Sequence, residues 1–201
     1  MGVLGACDGT IDDVTVELPE PTEPVDPGNL SDPVRDPIGP ADLAPGRTLR
    51  RMTASQFNAS LTVATGQVWD DFERYAAALG RADFAEITEE GTEFNVTFEK
   101  LVEDAARETC RDAVEADLDG ASPAVILRHA AVEDAGEAVF RENLAYLLLR
   151  FQGKTDEGAQ APWLALLQAP ADDEMNDAQR MQARWTAVCV GLVTHPDFVA
   201  Y

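Results

Sequence analysis

An all-α domain behind a long N-terminal spacer is the architecture this sequence predicts, and three observations predict it. Apolar residues recur at helical spacing through most of the chain after Gly46. No alternating strand pattern of useful length interrupts them. Eight of the twelve prolines crowd into residues 8–46, where they block helix and leave extended chain. The expected organisation is therefore a short N-terminal piece (1–7), a disordered acidic Pro-rich tether (8–46) and an all-α domain (47–201), a compact bundle of about five or six helices.

Within the domain, each helix announces itself in turn. Thr53 followed three residues later by Gln56 is a capping box, with Met52 ahead of it as a staple residue. Phe57, Leu61 and Ala64 then recur on one face. In "WDDFERYAAALG", Trp69, Phe72, Tyr75, Ala76 and Leu79 predict a second helical stretch ending on Gly80. The longest amphipathic pattern is "VTFEKLVEDAARETCRDAVEAD", whose stripe runs from Phe98 through Leu101, Val102, Ala105, Ala106, Thr109, Cys110 and Ala113 to Val114. Gly120 and Pro123 stop it. "EAVFRENLAYLLLRFQG" predicts another helix, with Phe140, Leu144, Leu147, Leu148 and Phe151 in register and Gly153 as terminator. "APWLALLQAP" predicts a short helical turn between prolines. Last, "NDAQRMQARWTAVCVGLVTH" can be capped by Asn176 or Asp177 and buries Met181, Trp185, Val188, Cys189 and Leu192. Pro196 ends it, and Phe198 and Tyr201 are expected to fold back onto the body.

Charge narrows the partners. The chain of 201 residues carries a formal net charge of −22, which argues against nucleic acid and against a polybasic lipid-docking surface, since both need clustered Lys and Arg. Ten acidic residues and one basic residue (Arg35) fall between Asp8 and Gly46, leaving −13 on residues 47–201. Like charges and prolines keep such a spacer extended, and at about 3 Å per residue it would reach on the order of 100 Å. No stretch approaches the roughly 20 apolar residues a membrane-spanning helix needs; "LAYLLL" (Leu144 to Leu149) reads as core.

Chemistry-bearing patterns are sparse. His129 and His195 are far apart in sequence, with no partner at ligand spacing, and read as surface or helix-end residues. "EADLDG" (Glu115, Asp117, Asp119, Gly120) imitates the first half of an EF-hand loop. Its twelfth position is Ile126 and its ninth is Pro123, so an acidic helix end is the better reading. Asn58 and Asn95 are glycosylation sequons by pattern alone. No G-x-S-x-G, P-loop, Rossmann glycine pattern or C-x-x-C-H haem motif occurs. The sequence thus assigns no catalytic residue, no metal ligand and no cofactor, and an enzyme is not expected.

Three cysteines remain: Cys7, Cys110 and Cys189. Cys110 and Cys189 each lie on the apolar stripe of a long helix. Facing stripes could bring their Cα atoms within the roughly 7 Å a bridge requires, or leave two buried thiols. Export would favour the bridge, because free thiols are unusual in oxidising compartments.

Cys7 resembles a different signal. "LGAC" (Leu4-Gly5-Ala6-Cys7) looks like the bacterial lipobox, a leucine, two small residues and the cysteine that becomes the lipidated N-terminus. The resemblance implies a bacterial lipoprotein of the cell envelope, facing the periplasm or the exterior and held to the membrane by lipid on Cys7. Residues 1–7 then read as the remnant of a signal peptide. A full signal carries a basic region and about 7–15 apolar residues, so either Met1 is a late start or the match is chance.

A second resemblance spans residues 48–201. "LRRMTASQFNASL" is similar to the "RRLxxxEYNNTVRDL" opening of certain secreted bacterial proteins of unknown function, some fused to c-type cytochrome domains. "RWTAVCVGLVTHPDFVAY" resembles their closing helix, with Trp185, Cys189, His195, Pro196, Phe198 and Tyr201 on the motif. It implies an exported helical module; the lipobox, the tether and the lack of catalytic groups together lead to the expectation that this domain binds an envelope protein or serves as scaffold. The alternative is an accessory subunit of a periplasmic electron-transfer or degradative enzyme system.

Overall fold

A computed structural model describes residues 50–83, 85, 88–120, 123–134, 136–169 and 175–201. The chain divides into two units, Met1–Gly46 and Arg47–Tyr201, and all described residues belong to the second. Cys7, the LGAC stretch and the 8–46 spacer lie outside the described residues.

The described domain is all-α. Its helices are α1 (Ala54–Thr65), α2 (Phe72–Tyr75), α3 (Val96–Leu118), α4 (Glu137–Gln152), α5 (Ala161–Leu167), α6 (Asp177–Thr194) and α7 (Pro196–Val199), with a 3-10 turn at Glu157–Gln160 leading into α5. Five of these are seven residues or longer. Among the described residues the only paired extended backbone is one antiparallel bridge, Arg51 with Ala200.

The caps follow the sequence. At α1 the Thr53 hydroxyl accepts from the Gln56 amide at 3.2 Å, and the Gln56 side chain accepts from the Thr53 amide at 3.0 Å. Asn176 and Gln179 repeat this box at α6, and Asn95 caps α3 by accepting from the Phe98 amide at 2.8 Å. The stretch Trp69–Gly80 is less regular than the periodicity suggests, with only four residues helical. Asp71 leads into α2 without a side-chain cap, and the rest proceeds as hydrogen-bonded turns. Gly80, at φ 90°, ends it as predicted: the Gly80 amide donates to Ala77 O and the Arg81 amide to Ala76 O, the paired bonds of a left-handed helix cap.

Packing is organised around α3 and α6, which lie against each other and are joined by a Cys110–Cys189 disulfide with Cα atoms 5.7 Å apart. Both cysteines are fully buried. On one side α1 packs on α3, with Phe57 edge-on to Phe98 at 6.1 Å. On the other, α4 meets α6 through Phe140, edge-on to Trp185 at 6.0 Å. A Cβ at Gly191 would come 2.6 Å from the Trp163 ring, so glycine is what lets α5 approach α6 this closely. Phe198 of α7 closes the end of the core against Phe151 at 5.8 Å. No helix of the described residues is long and apolar enough to cross a membrane.

The two ends of the domain meet. Arg50 and Tyr201 exchange backbone hydrogen bonds, and the Met52 amide donates to Val199 O at 2.7 Å. The C-terminus therefore returns to the body through its backbone and through Phe198. The Tyr201 ring, expected to pack, is instead 64% exposed, because pairing with Arg50 holds the chain at the surface.

Candidate functional site

Most polar side chains singled out in the sequence have structural duties. The Asp117 carboxylate accepts from three successive amides, Val125 at 2.8 Å, Ile126 at 2.6 Å and Leu127 at 2.8 Å. It ties the loop after α3 back onto that helix, which uses the oxygens a cation would need. Among the described residues no three His, Cys, Asp or Glu side chains cluster to hold a metal. Buried Asn143 secures the same loop, accepting from the His129 amide and donating to Ile126 O, each at 2.9 Å. The His129 ring itself stands at the surface, 3.4 Å from Glu142 and edge-on to Tyr146.

His195 serves as the cap of α7, its Nδ1 accepting from the Asp197 amide at 3.1 Å. Asp197 in turn pairs with Lys154, whose hydrogen bond holds its carboxyl below the usual aspartate range. Of the closing-motif residues, Trp185, Cys189 and Phe198 are core, while His195 and Pro196 shape the α6–α7 corner. They form no common pocket, and the motif's work here is packing and capping.

Sequence reasoning missed Arg51. It is 2% exposed, with its guanidinium 4.1 Å above the Phe98 ring. Its Nε donates to Glu93 O at 2.5 Å and its Nη1 to Met52 O at 3.0 Å. Burial lowers its pKa, and the nearby Glu90 carboxylate offsets that in part. The helix pattern says nothing of this, because Glu93 O and the Phe98 ring are brought to it from other segments.

Among the described residues, a groove runs along the α3–α6 pair. It has a volume of about 620 Å³ and runs from Gln179 to Gly191 on α6, with Arg107 and Arg111 on the α3 side. Its floor includes Ala183, Ala187 and Val190, and no carboxylate lines it. Arg107 binds Glu103 one turn away, and Arg111 binds the adjacent Asp112; all four side chains are substantially exposed. A signal for this groove was present in the sequence. Ala183, Ala187 and Gly191 recur every fourth residue, and residues 178–196 contain no acid in a chain that has 37.

No family model, no curated protein and no solved structure matches the chain. What the residues themselves offer is two motif-like terminal segments, one buried disulfide and one arginine-edged groove.

Proposed function

We propose that the protein is a bacterial cell-envelope lipoprotein that carries a helical protein-binding domain and performs no catalysis of its own. Lipid on Cys7 holds it to the membrane, residues 8–46 act as spacer, and residues 47–201 engage a partner at the α3–α6 groove. The observation that carries this reading is the buried Cys110–Cys189 disulfide. Such bridges persist in oxidising compartments and are rare in reducing ones, which supports export. The lipobox-like Leu4–Cys7 supports attachment after export. A surface this acidic keeps a spacer-borne domain apart from anionic headgroups.

Metabolic labelling with an alkyne fatty acid, applied to the full-length gene product in a bacterial host, tests the anchor. The expected outcome is label and membrane partition that Cys7→Ala abolishes. A Cys7→Ala protein that labels and partitions like wild type overturns it.

A further inference from the structure

Resting on the reading of this domain as a protein binder, we infer that the α3–α6 groove seats an acidic amphipathic helix of a partner protein. Its dimensions suit a helix. From Gln179 to Gly191 is a rise of twelve residues, about 18 Å of α-helix, which matches three turns of an occupant lying alongside. Ala183 and Ala187 stand one turn apart on the floor and are exposed, and side chains this small let a second helix backbone approach closely.

Charge selects the occupant's chemistry. In a domain of net charge −13, the groove itself is lined by two guanidiniums and no carboxylate, while Glu103, Glu108, Asp112 and Glu115 stand behind them on α3. Arg107 and Arg111 sit one turn apart along the α3 edge. Each uses its Nε and Nη2 on a neighbouring carboxylate oxygen. A guanidinium has five N–H donors, so both retain donors for a second anion. Their present pairs are surface pairs, weakly held and readily shared. An occupant with Glu or Asp one turn apart along one edge would meet both arginines while its apolar stripe covers Ala183, Ala187 and Val190.

Two other occupants fit less well. A small amphiphile is ordinarily enclosed over most of its surface, whereas this groove is open along its length. A second copy of the chain would bring another net charge of −22 against the first.

The test uses the full chain with its disulfide intact. It is screened against a display library of helical peptides of about 20 residues that carry an Ala/Leu stripe and flanking positions randomised between Glu and Lys. Selected peptides are expected to carry Glu one turn apart on one edge. They should lose at least about tenfold in affinity against Arg107→Glu/Arg111→Glu, regain binding to that variant when the edge is changed to Lys, and weaken as salt is raised. Ala187→Trp, an exposed substitution that should leave the circular dichroism unchanged, is expected to block the same peptides. Lys-rich selection, no selection, or affinities indifferent to both variants would overturn the proposal. So would dodecanoate displacing the peptides stoichiometrically, or a concentration-dependent dimer that Ala187→Trp abolishes. Acylation of Cys7 is scored separately in the same variants, so failure of the groove and failure of the anchor are distinguishable.

Discussion

The α3–α6 seam and the clasp at the domain's two ends both join residues distant in the chain, by opposite physical means. At the seam, Cys110 and Cys189 are 79 residues apart and covalently bonded in dry, apolar surroundings. The bond asks nothing of its neighbours beyond room. At the clasp, Arg51 is equally buried, yet apart from the carbonyl of neighbouring Met52 the groups around it are supplied by another part of the chain: Glu93 O, the Phe98 face and the Glu90 charge. A covalent tie is robust to small shifts around it. A buried cation holds only while all its acceptors stay in place, since an unpaired charge in the interior is costly.

This difference can be broken from the seam first, where the effect is largest. Cys110→Ala/Cys189→Ala should lose about 4 kcal/mol of stability, from the chain-entropy relation for a loop of this length. Urea melts of the full chain check it, and reductant should lower the wild-type midpoint but leave the variant's unchanged. At the clasp, Arg51→Met should cost about 3 kcal/mol, because Glu93 O and Met52 O lose their charged donor and Glu90 keeps only Arg81 as a nearby cation. Adding Glu90→Gln should recover part of that loss, and a double-mutant cycle without coupling would count against the pairing. A smaller effect, about 2 kcal/mol, is expected from Gly80→Ala. Its Cβ would meet Arg51 Nη2 at 2.9 Å while the backbone is held at φ 90°. The comparison sharpens if Gly80→Ala becomes milder in the Arg51→Met background.

The smallest effect is that of pH on Asp197. Lys154 lowers its folded pKa, so the pair's contribution is complete above the unfolded aspartate value near 4 and is lost as pH falls through the lower folded value. Both side chains are 41% exposed, and salt should therefore screen much of it. Melting temperature measured from about pH 5 to pH 2 should show a slightly shallower acid decline for Asp197→Asn than for wild type.

What the sequence discloses divides along the same line. The α1 box and the α3 and α6 stripes were legible, because periodicity and capping are local; Cys110 and Cys189 could be placed on those stripes, but that the stripes face each other and the sulfurs bridge could not. The Arg51 site was not, because "RTLRRM" reads as surface charge until Glu93 and Phe98 are brought to it. Asp117 looked like half of a calcium loop, since spacing records which carboxylates are present but not which amides will reach them first. Gly191 looked like an ordinary residue of α6; only the arrival of Trp163 from α5 explains it. The groove lay between these cases. Its small residues and its lack of acid were visible in the sequence, but that α3 would put Arg107 and Arg111 beside them was not.

The antiparallel pairing of Arg50–Met52 with Val199–Tyr201 has a mechanical consequence. Both ends of the domain leave from the same end of this short ladder, so a load pulling them apart acts as on a zipper, opening one rung at a time rather than shearing all rungs together. The Arg50–Tyr201 rung yields first at low force. The next residue in line is Arg51, whose buried guanidinium acts as the stop behind which the helical body stays closed.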